Sequence, residues 1–285
     1  METEAPPQRG KHATPEFRAI ADAGTILRCQ IGSGVHGTSI EGTDDRDEMG
    51  ICTEPAEYVV GLRRFEQYEH HTAWERDGGL ANRSGAGDLD VTVYSLRKWM
   101  RLALAGNPSV LLPLFVPESE IVSATTLGEE LRAMAPLIVS RQAGHRFAGY
   151  LNAQRTSMLS HEGKGRDCTR PELIERYGFD TKFAGHMVRL GYQGVELLET
   201  GRITLPMPEW ERQIVIGIRT GAYSMNDALD MASELEITLR GLLGTSPLPE
   251  HPDYEAADRW LIRAYRRAWA AATADSHDRG ERHGT

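Results

Sequence analysis

The chain has 285 residues, and 41 acidic against 32 basic side chains give it a formal net charge of −9 at pH 7. This length is enough for a well-buried core, in one large domain or two smaller ones. The acidic balance argues against long tracts of nucleic acid as the main partner. A nucleotide or an RNA end held in a locally basic cleft is still compatible with it.

Two further features argue against a membrane or secreted protein. The longest apolar run, residues 110–116, contains a proline and is far too short to cross a bilayer. The N-terminus lacks the basic-then-apolar pattern of a signal peptide. The three cysteines, Cys29, Cys52 and Cys168, share no metal-binding spacing and are predicted to be reduced thiols. We therefore expect a cytoplasmic protein without membrane contact.

The first predicted elements lead to a glycine-containing turn. Residues 1–13 are polar and expected to be loose, and a helix is predicted to start at Thr14-Pro15. Residues 25–31 alternate apolar and polar side chains, which predicts a half-buried strand. The strand ends at Gly32-Ser33, a turn that exposes backbone N–H groups and one hydroxyl. Such a turn can cradle a phosphate, because its N–H donors converge.

A pair of aspartates precedes the next predicted strand, residues 48–53. Asp45 and Asp47 are two residues apart, so their carboxylates leave an extended segment on the same side. Neighbouring carboxylates repel each other, and a divalent cation relieves the repulsion. Mg²⁺ favours a few carboxylates together with substrate phosphates. A phosphate-binding turn close to an Asp-x-Asp pair is typical of phosphoryl or nucleotidyl transfer.

Two other interpretations compete. Gly32, Gly34 and Gly37 form the pattern G-x-G-x-x-G, the dinucleotide-binding fingerprint. That fingerprint needs a crossover helix starting at the third glycine, whereas residues 38–45 have no apolar stripe and include three acidic residues. We therefore reject it. An ordinary solvated acidic loop is the second alternative, but the Gly-Ser turn between two strand patterns favours a site.

The rest of the chain changes from strands to helices. After a short possible strand at 58–62 and a flexible loop at 74–88, alternation predicts a strand at 88–94. Ser95 is a suitable N-cap for a helix over 96–105, which Gly106-Asn107-Pro108 ends. Apolar positions with helical spacing then predict helices over residues 127–134, 138–159, 181–200, 225–243 and 254–272. Residues 273–285 are expected to form a loose tail.

Strands early and helices late predict an α/β (α+β) fold, with a small mixed sheet flanked by helices and a mainly helical region after it. We expect a catalytic domain over residues 14–118 and a helical domain over residues 119–272. The first 100 residues have eleven basic against seventeen acidic side chains, whereas residues 141–189 have nine against five. A basic helical domain facing an acidic one would form a clamp for a triphosphate.

The Gly-Ser and Asp-x-Asp motifs resemble the signature of the DNA polymerase β nucleotidyltransferase superfamily. The closest resemblance is to its RNA-ligase-operon-associated (RlaP-like) bacterial and phage branch. That branch also has a Tyr-Ser-Leu-Arg-Lys segment followed by Asn-Pro, matched by residues 94–98 and 107–108, and a Tyr-Gly-aromatic-Asp-Thr-Lys segment, matched by residues 177–182. The resemblance spans roughly residues 25–245. Asp44 stands where the superfamily usually has Ser, and it either assists the metals or is a solvated neighbour.

The resemblance implies three carboxylates around two Mg²⁺ (or Mn²⁺) ions. Asp45 and Asp47 would be two of them. The third comes from a nearby strand in this superfamily, and here Asp90 is the first choice and Asp88 the second. Gly32 and Ser33 would hold the β- and γ-phosphates of an NTP.

Basic side chains supply the other predicted nucleotide contacts. His36, inside the glycine-containing loop, either touches the nucleotide or packs against the sheet. Lys182, His186 and Arg189 form one polar stripe on the predicted helix 181–200, which faces either the phosphates or solvent. Arg97 and Lys98, close to the Asp90 strand, are weaker candidates for the same clamp.

The expected function is therefore Mg²⁺-dependent transfer of a nucleoside monophosphate from NTP to a hydroxyl, with release of pyrophosphate (an EC 2.7.7-type nucleotidyltransferase). ATP is one possible donor, and an RNA 3′ end, such as that of a tRNA-like molecule, is the favoured acceptor. A protein side chain or a small molecule is the alternative acceptor. The other class is a non-catalytic nucleotide-binding or antitoxin-like regulatory protein, which the complete carboxylate set disfavours.

Overall fold

The computed structural model describes residues 11–73, 84–160 and 170–282. These residues contain a mixed five-stranded sheet with the order β3-β4-β2-β1-β5. Strands β2 and β4 are parallel, and every other neighbouring pair is antiparallel. The strands are β1 Thr25–Ile31, β2 Arg46–Cys52, β3 Gln67–His71, β4 Leu89–Ser95 and β5 Ile121–Ala124.

Helices flank the sheet and form most of the chain after it, which confirms the predicted fold class. Among the described residues, two short 3₁₀ helices, Leu112–Leu114 and Glu118–Glu120, precede β5 along the chain. The α-helices are α1 Pro15–Gly24, α2 Gly32–His36, α3 Ala56–Val59, α4 Leu96–Leu104, α5 Pro108–Leu111, α6 Thr126–Ala133, α7 Ala135–Ile138, α8 Gln142–Ser160, α9 Pro171–Tyr177, α10 Thr181–Thr200, α11 Glu209–Arg219, α12 Met225–Thr245 and α13 Tyr254–Arg282.

The antiparallel pairing of β1 with β2 excludes the dinucleotide-binding arrangement, as predicted. A dinucleotide-binding unit crosses from one strand to a parallel neighbour through a full helix. Here α2 has five residues and ends at Gly37, whose φ of 70° is left-handed. The segment from there to β2 contains no helix, so the chain turns back beside β1.

Several local predictions were wrong. No strand forms at 58–62, where the short helix α3 ends and a turn follows. The predicted helix over 138–159 begins later than expected, as α8 at Gln142, and Ile138 is the last residue of the separate short helix α7. Strands β3 and β5 and helices α9 and α11 were not predicted. Helix α13 continues to Arg282, beyond the predicted end at 272. Most of the predicted loop at 74–88, and residues 1–10 of the predicted loose start, lie outside the described residues.

One large hydrophobic core joins the sheet to the helical region. Its buried side chains come from the sheet and from three helices: Leu27 and Ile51 of the sheet, Trp99 of α4, Phe147 of α8 and Leu190 of α10. A smaller core covers the other face of the sheet, where Ile20 of α1 packs with Phe65 and Val93. The division into domains near residue 118 stays a prediction, and the main core is continuous across it.

Capping residues fix where α10 begins, and α10 carries the predicted basic stripe. Helix α9 ends at Gly178, whose φ of 83° is readily adopted by glycine. Two residues later Asp180 is the N-cap of α10, and its carboxylate accepts hydrogen bonds from the N–H groups of Lys182 and Phe183. The Tyr-Gly-Phe-Asp-Thr-Lys segment is therefore a helix end followed by a helix start, and it places Lys182 in the first turn of α10.

Within the described residues, no helix combines the length and apolarity that a membrane span requires. Cys29 and Cys52 are buried free thiols. Burial raises the pKa of the Cys29 thiol to about 12.

Candidate active site

Four residues lie side by side across one end of the sheet. Ile31 pairs with Asp47, Asp47 pairs with Asp90, and Asp90 pairs with His71. Gly32 and Ser33 follow Ile31 directly, so the register brings the glycine turn beside the aspartates. These four adjacent strands therefore present the predicted phosphate turn and two predicted carboxylates in a single row.

Asp45, Asp47 and Asp90 form a half-buried cluster of carboxylates. One oxygen from each lies within 4.8 Å of the others. Burial, followed by the charges of Asp45 and Asp90, raises the pKa of Asp47 to about 6. Among the described residues, neither Asp45 nor Asp47 has a cationic side chain within ion-pair distance. Three converging, mutually repelling carboxylates are a donor set that fits a hard divalent cation such as Mg²⁺ or Mn²⁺.

Asp90 and Asp88 have different surroundings, although both are on the same side of the strand. The Asp90 carboxylate accepts a hydrogen bond from Ser84 Oγ at 2.6 Å and lies 2.9 Å from Nδ1 of His71. Asp88 is buried, and its carboxylate accepts hydrogen bonds from the N–H of Gly85 and the hydroxyl of Thr72. The structure therefore places Asp90 in the carboxylate cluster and Asp88 in the turn that precedes β4.

Position 32 requires a glycine for two reasons, the backbone conformation there and the closeness of Asp47. Its φ of 76° is left-handed, and a Cβ built there would lie 2.1 Å from Oδ2 of Asp47. The backbone at the start of α2 therefore approaches the carboxylate cluster so closely that no side chain would fit between Gly32 and Asp47. Ser33 follows as the second residue of α2, and its hydroxyl accepts a hydrogen bond from Ser39 Oγ at 3.3 Å.

Asp44 joins the sheet to the helical region. Nη2 of Arg219 donates to both Asp44 oxygens, at 2.8 and 2.9 Å, and Nζ of Lys182 lies 3.3 Å from Oδ1. The Ile40 N–H donates to Oδ2 at 2.7 Å. Burial by itself would raise the pKa of Asp44, but the hydrogen bonds from Arg219 and Ile40 outweigh it and lower the pKa. Asp44 is thus a buried ion-pair partner and not a solvated neighbour.

A cleft of about 200 Å³ lies between the row of strand ends and α10. Its sheet side is formed by Gly32, Ser33, His36 and Asp47, and its helical side is strongly basic. The basic and imidazole side chains there are Arg170, Lys182, His186, Arg189 and Arg219. The cleft therefore brings together the predicted nucleotide-contacting residues of the glycine turn and of α10, with Asp45 and Asp90 at the adjoining carboxylate cluster.

The stripe on α10 runs from the surface into the interior. The Lys182 side chain is 38% exposed, whereas burial lowers the pKa of Arg189 to about 10, with a further contribution from Arg219. Burial, and then the charges of Arg189 and Arg170, also lowers the pKa of His186 well below its usual value. His186 is therefore neutral at pH 7, and a charge loss near pH 6.5, expected for an exposed imidazole, does not apply.

His36 packs inside the protein and holds α2 to α10. It is 1% exposed, with Nε2 against a guanidinium N–H of Arg189 and Nδ1 3.0 Å from the side-chain amide of Gln193. Because a guanidinium can only donate, Nε2 is the acceptor. Burial, with the charge of Arg189, lowers the pKa of His36 well below its usual value. The neutral imidazole thus positions the glycine turn against α10.

Sequence comparison decides the family. The model of the RNA repair pathway DNA polymerase beta family (RlaP) matches residues 9–263. The chain belongs to this family. The match confirms the resemblance drawn from the Gly-Ser and Asp-x-Asp motifs, and with it a nucleotidyltransferase of the polymerase beta superfamily.

Other comparisons are distant. Among curated protein sequences none matches the chain. A solved nucleotidyltransferase-like protein from Exiguobacterium sibiricum 255-15 is similar at 12% identity, with 89% of this chain and 78% of that protein covered and a TM-score of 0.28.

The Tyr-Ser-Leu-Arg-Lys segment, residues 94–98, lies away from the cleft. Arg97 and Lys98 follow the C-terminal end of β4, whereas Asp90 is near its N-terminal end. At a rise of about 3.3 Å per residue, the five steps along the strand from Asp90 to Ser95 span about 17 Å. Arg97 and Lys98 line a different pocket, so their predicted part in the triphosphate clamp was wrong.

Sequence reasoning missed four residues of the site. Arg170 and Arg219 reach the cleft from the start of α9 and the end of α11, elements that were not predicted. His71 belongs to the unpredicted strand β3. Gln154 of α8 also lines the cleft, and its buried Oε1 has no hydrogen-bond partner among the described residues. None of the four belongs to a local motif, so only contacts between distant segments reveal them.

Proposed function

We propose that this RlaP-family chain is a Mg²⁺- or Mn²⁺-dependent nucleotidyltransferase. It would move a nucleoside monophosphate from an NTP to a hydroxyl acceptor, preferably an RNA 3′ end, and release pyrophosphate. The observation that carries the proposal is the convergence of Asp45, Asp47 and Asp90 beside a basic cleft that opens onto Gly32 and Ser33. Carboxylates and cations face each other there with room for a ligand between them.

In this proposal Asp45, Asp47 and Asp90 hold two divalent ions. When bound, such ions lower the pKa of an attacking hydroxyl and neutralise charge on the phosphates. The chain's own groups position the nucleotide. The N-terminal end of α2 and the Ser33 hydroxyl face the β- and γ-phosphates, and Lys182 approaches the same phosphates from the opposite wall. Arg219 and Asp44 keep that wall in place.

RNA is the preferred acceptor for two reasons. The description of the family refers to an RNA repair pathway. The helical side of the cleft is basic, so it would attract the phosphates of an RNA end whose hydroxyl enters the cleft. The buried free thiols of Cys29 and Cys52 are consistent with action in the cytoplasm. A non-catalytic nucleotide-binding role is disfavoured, because such a protein has no need to keep three repelling carboxylates together.

The test is incubation with each α-labelled NTP, Mg²⁺ and total cellular RNA, with label followed in RNA, protein and small-molecule fractions. Label in RNA that depends on metal and is absent with Asp47→Asn supports the proposal. Label in protein or a small product would retain nucleotidyl transfer and overturn RNA as the acceptor. Binding of NTP without label in any fraction would favour the non-catalytic alternative.

A further inference from the structure

A second pocket lies at the opposite end of the sheet from the carboxylate cluster. It has a volume of about 380 Å³ and opens where β2 and β4 finish, beside Glu54 and Ser95. The length of β4 separates it from Asp90 by about 17 Å. An NTP held between Ser33 and Lys182 therefore does not occupy this pocket, and the proposed transfer reaction leaves it without a role.

The pocket concentrates positive charge on an otherwise acidic chain. Five basic side chains line it, namely Arg63, Arg64, Arg97, Lys98 and Arg101. Two of the five have local acidic partners, since Arg101 lies 3.4 Å from Glu66 and Arg63 lies 3.9 Å from Glu16. Among the described residues, the guanidinium groups of Arg64 and Arg97 have no carboxylate within ion-pair distance. These two exposed groups can bind an incoming anion without breaking an existing ion pair.

Two carboxylates line the pocket, Glu54 and Glu66, and both already have partners, Glu66 in Arg101. Glu54 is 1% exposed and accepts a hydrogen bond from the Tyr265 hydroxyl at 2.8 Å. Its backbone carbonyl accepts another from the indole N–H of Trp269 at 2.9 Å. Helix α13 therefore ties Glu54 into the structure, and the accessible part of the pocket presents mainly guanidinium groups.

An apolar wall adjoins these guanidinium groups. The Leu62 side chain is fully exposed and lines the pocket, and Val59 and Tyr58 lie beside it. Guanidinium forks suit the oxygens of a phosphate, and an exposed apolar surface next to them suits a base or sugar. The volume is within the range of small-ligand pockets, about 300–1,000 Å³.

We propose that this pocket is a second ligand site that binds a nucleoside 5′-monophosphate unit, either free or at the 5′ end of an RNA strand. Arg64 and Arg97 bind the phosphate, and Leu62 contacts the nucleoside. The site is independent of the carboxylate cluster, so it binds its ligand whether or not transfer takes place.

The experiment measures binding by fluorescence anisotropy with a labelled single-stranded oligoribonucleotide that carries either a 5′-phosphate or a 5′-hydroxyl. The variant Arg64→Ala/Arg97→Ala is compared with Arg259→Ala/Arg240→Ala, which removes two exposed arginines elsewhere. All proteins also carry Asp47→Asn, so that binding is measured without turnover. Unlabelled AMP and adenosine serve as competitors and identify a free nucleotide as the ligand.

We expect the 5′-phosphorylated strand or AMP to bind, and Arg64→Ala/Arg97→Ala to weaken that binding at least about tenfold, since two charge-assisted hydrogen bonds are lost. The control pair should bind like the parent protein. A second variant, Arg64→Lys/Arg97→Lys, should recover part of the affinity because it keeps the charge. Binding that is indifferent to the phosphate, or equal in the pocket and control variants, would overturn the proposal. Because Asp47→Asn is present throughout, neither result depends on the proposed transfer activity.

Discussion

On the sheet side of the cleft, Asp45 and Asp47 have no cationic partner among the described residues, and Asp90 contacts the Ser84 hydroxyl and the imidazole of His71. On the helical side, Lys182 and Arg219 both pair with the carboxylate of Asp44. Of the charged side chains on the sheet side, Asp44 is thus the one that forms ion pairs with the helical side among the described residues. Opposite charges that do not pair with each other are available to a ligand placed between them, here metal ions with phosphates.

The largest expected effect comes from removing one charge on the sheet side. Asp47→Asn should abolish nucleotidyl transfer while the protein stays folded, because the amide supplies less charge to a divalent cation. Turnover with labelled NTP and the circular dichroism spectrum test this together. Near-normal transfer by the variant would show that the carboxylate cluster does not hold the metal ions.

Although Asp47→Asn should abolish activity, it should stabilise the folded protein when no metal is bound. Asp47 has its pKa raised from 3.8 to about 6 in the folded protein, so between these pH values the folded state binds more protons than the unfolded state. The free energy of unfolding therefore falls as pH rises through this window. At pH 7 Asp47→Asn should stabilise the metal-free protein by roughly 1–3 kcal/mol, and little at pH 4. Urea unfolding in EDTA at both pH values tests the sign, and a loss of stability at pH 7 would contradict it.

Removing the ion pair between Arg219 and Asp44 should lower the stability of the protein. Arg219→Ala leaves the buried Asp44 with Lys182 as its remaining cation, and it removes the hydrogen bond to the Thr38 carbonyl. Loss of one partner of a buried pair typically costs about 3 kcal/mol or more. Urea unfolding measures the change, with the exposed Arg240→Ala as the matched control, expected to cost under about 1 kcal/mol. Equal losses in both variants would mean that Asp44 does not join the two regions.

On the helical side, Lys182→Ala should separate binding from stability. The side chain is partly exposed, so its removal should leave the melting temperature close to that of the wild type. Its contact with a phosphate would be charge-assisted, and losing it should weaken NTP binding at least about tenfold. Arg189→Ala is the contrasting variant: its guanidinium contacts His36 and Gln193, so we expect a lower melting temperature. Calorimetric titration and thermal unfolding of both variants distinguish these roles, and unchanged NTP affinity in Lys182→Ala would argue against the clamp.

The effect at Ser33 should be confined to the triphosphate end of the nucleotide. Ser33→Ala removes one hydroxyl beside the predicted β- and γ-phosphates, and one hydrogen bond to a charged group is worth ~1.5–3 kcal/mol. ATP binding should therefore weaken about tenfold or more, whereas AMP binding should change little. Titration of both nucleotides against wild type and variant tests the placement of the phosphates. Equal losses for ATP and AMP would mean that Ser33 does not lie at the β/γ end.

The sequence by itself determined the elements whose signals are local. Strand alternation and the Gly-Ser turn located β1 and the start of α2, the spacing of Asp45 and Asp47 put their carboxylates together, and the apolar periodicity of residues 181–200 gave α10 its correct bounds. Each depends on residues a few positions apart, where backbone geometry fixes the relation between side chains.

Tertiary structure decided the rest of the site. Alternation puts Asp88 and Asp90 on one side of a strand, but contacts of Asp88 with Gly85 and Thr72 remove it from the carboxylate cluster. Proximity in sequence suggested that Arg97 acts near Asp90. The extended backbone of β4 lies between them, however, so Arg97 is at the opposite end of the sheet. Asp44 finds its partner in Arg219, far along the chain, because the shared core brings α11 against the loop before β2. Burial and long-range pairing depend on how elements pack, and a local pattern of residue types does not specify that.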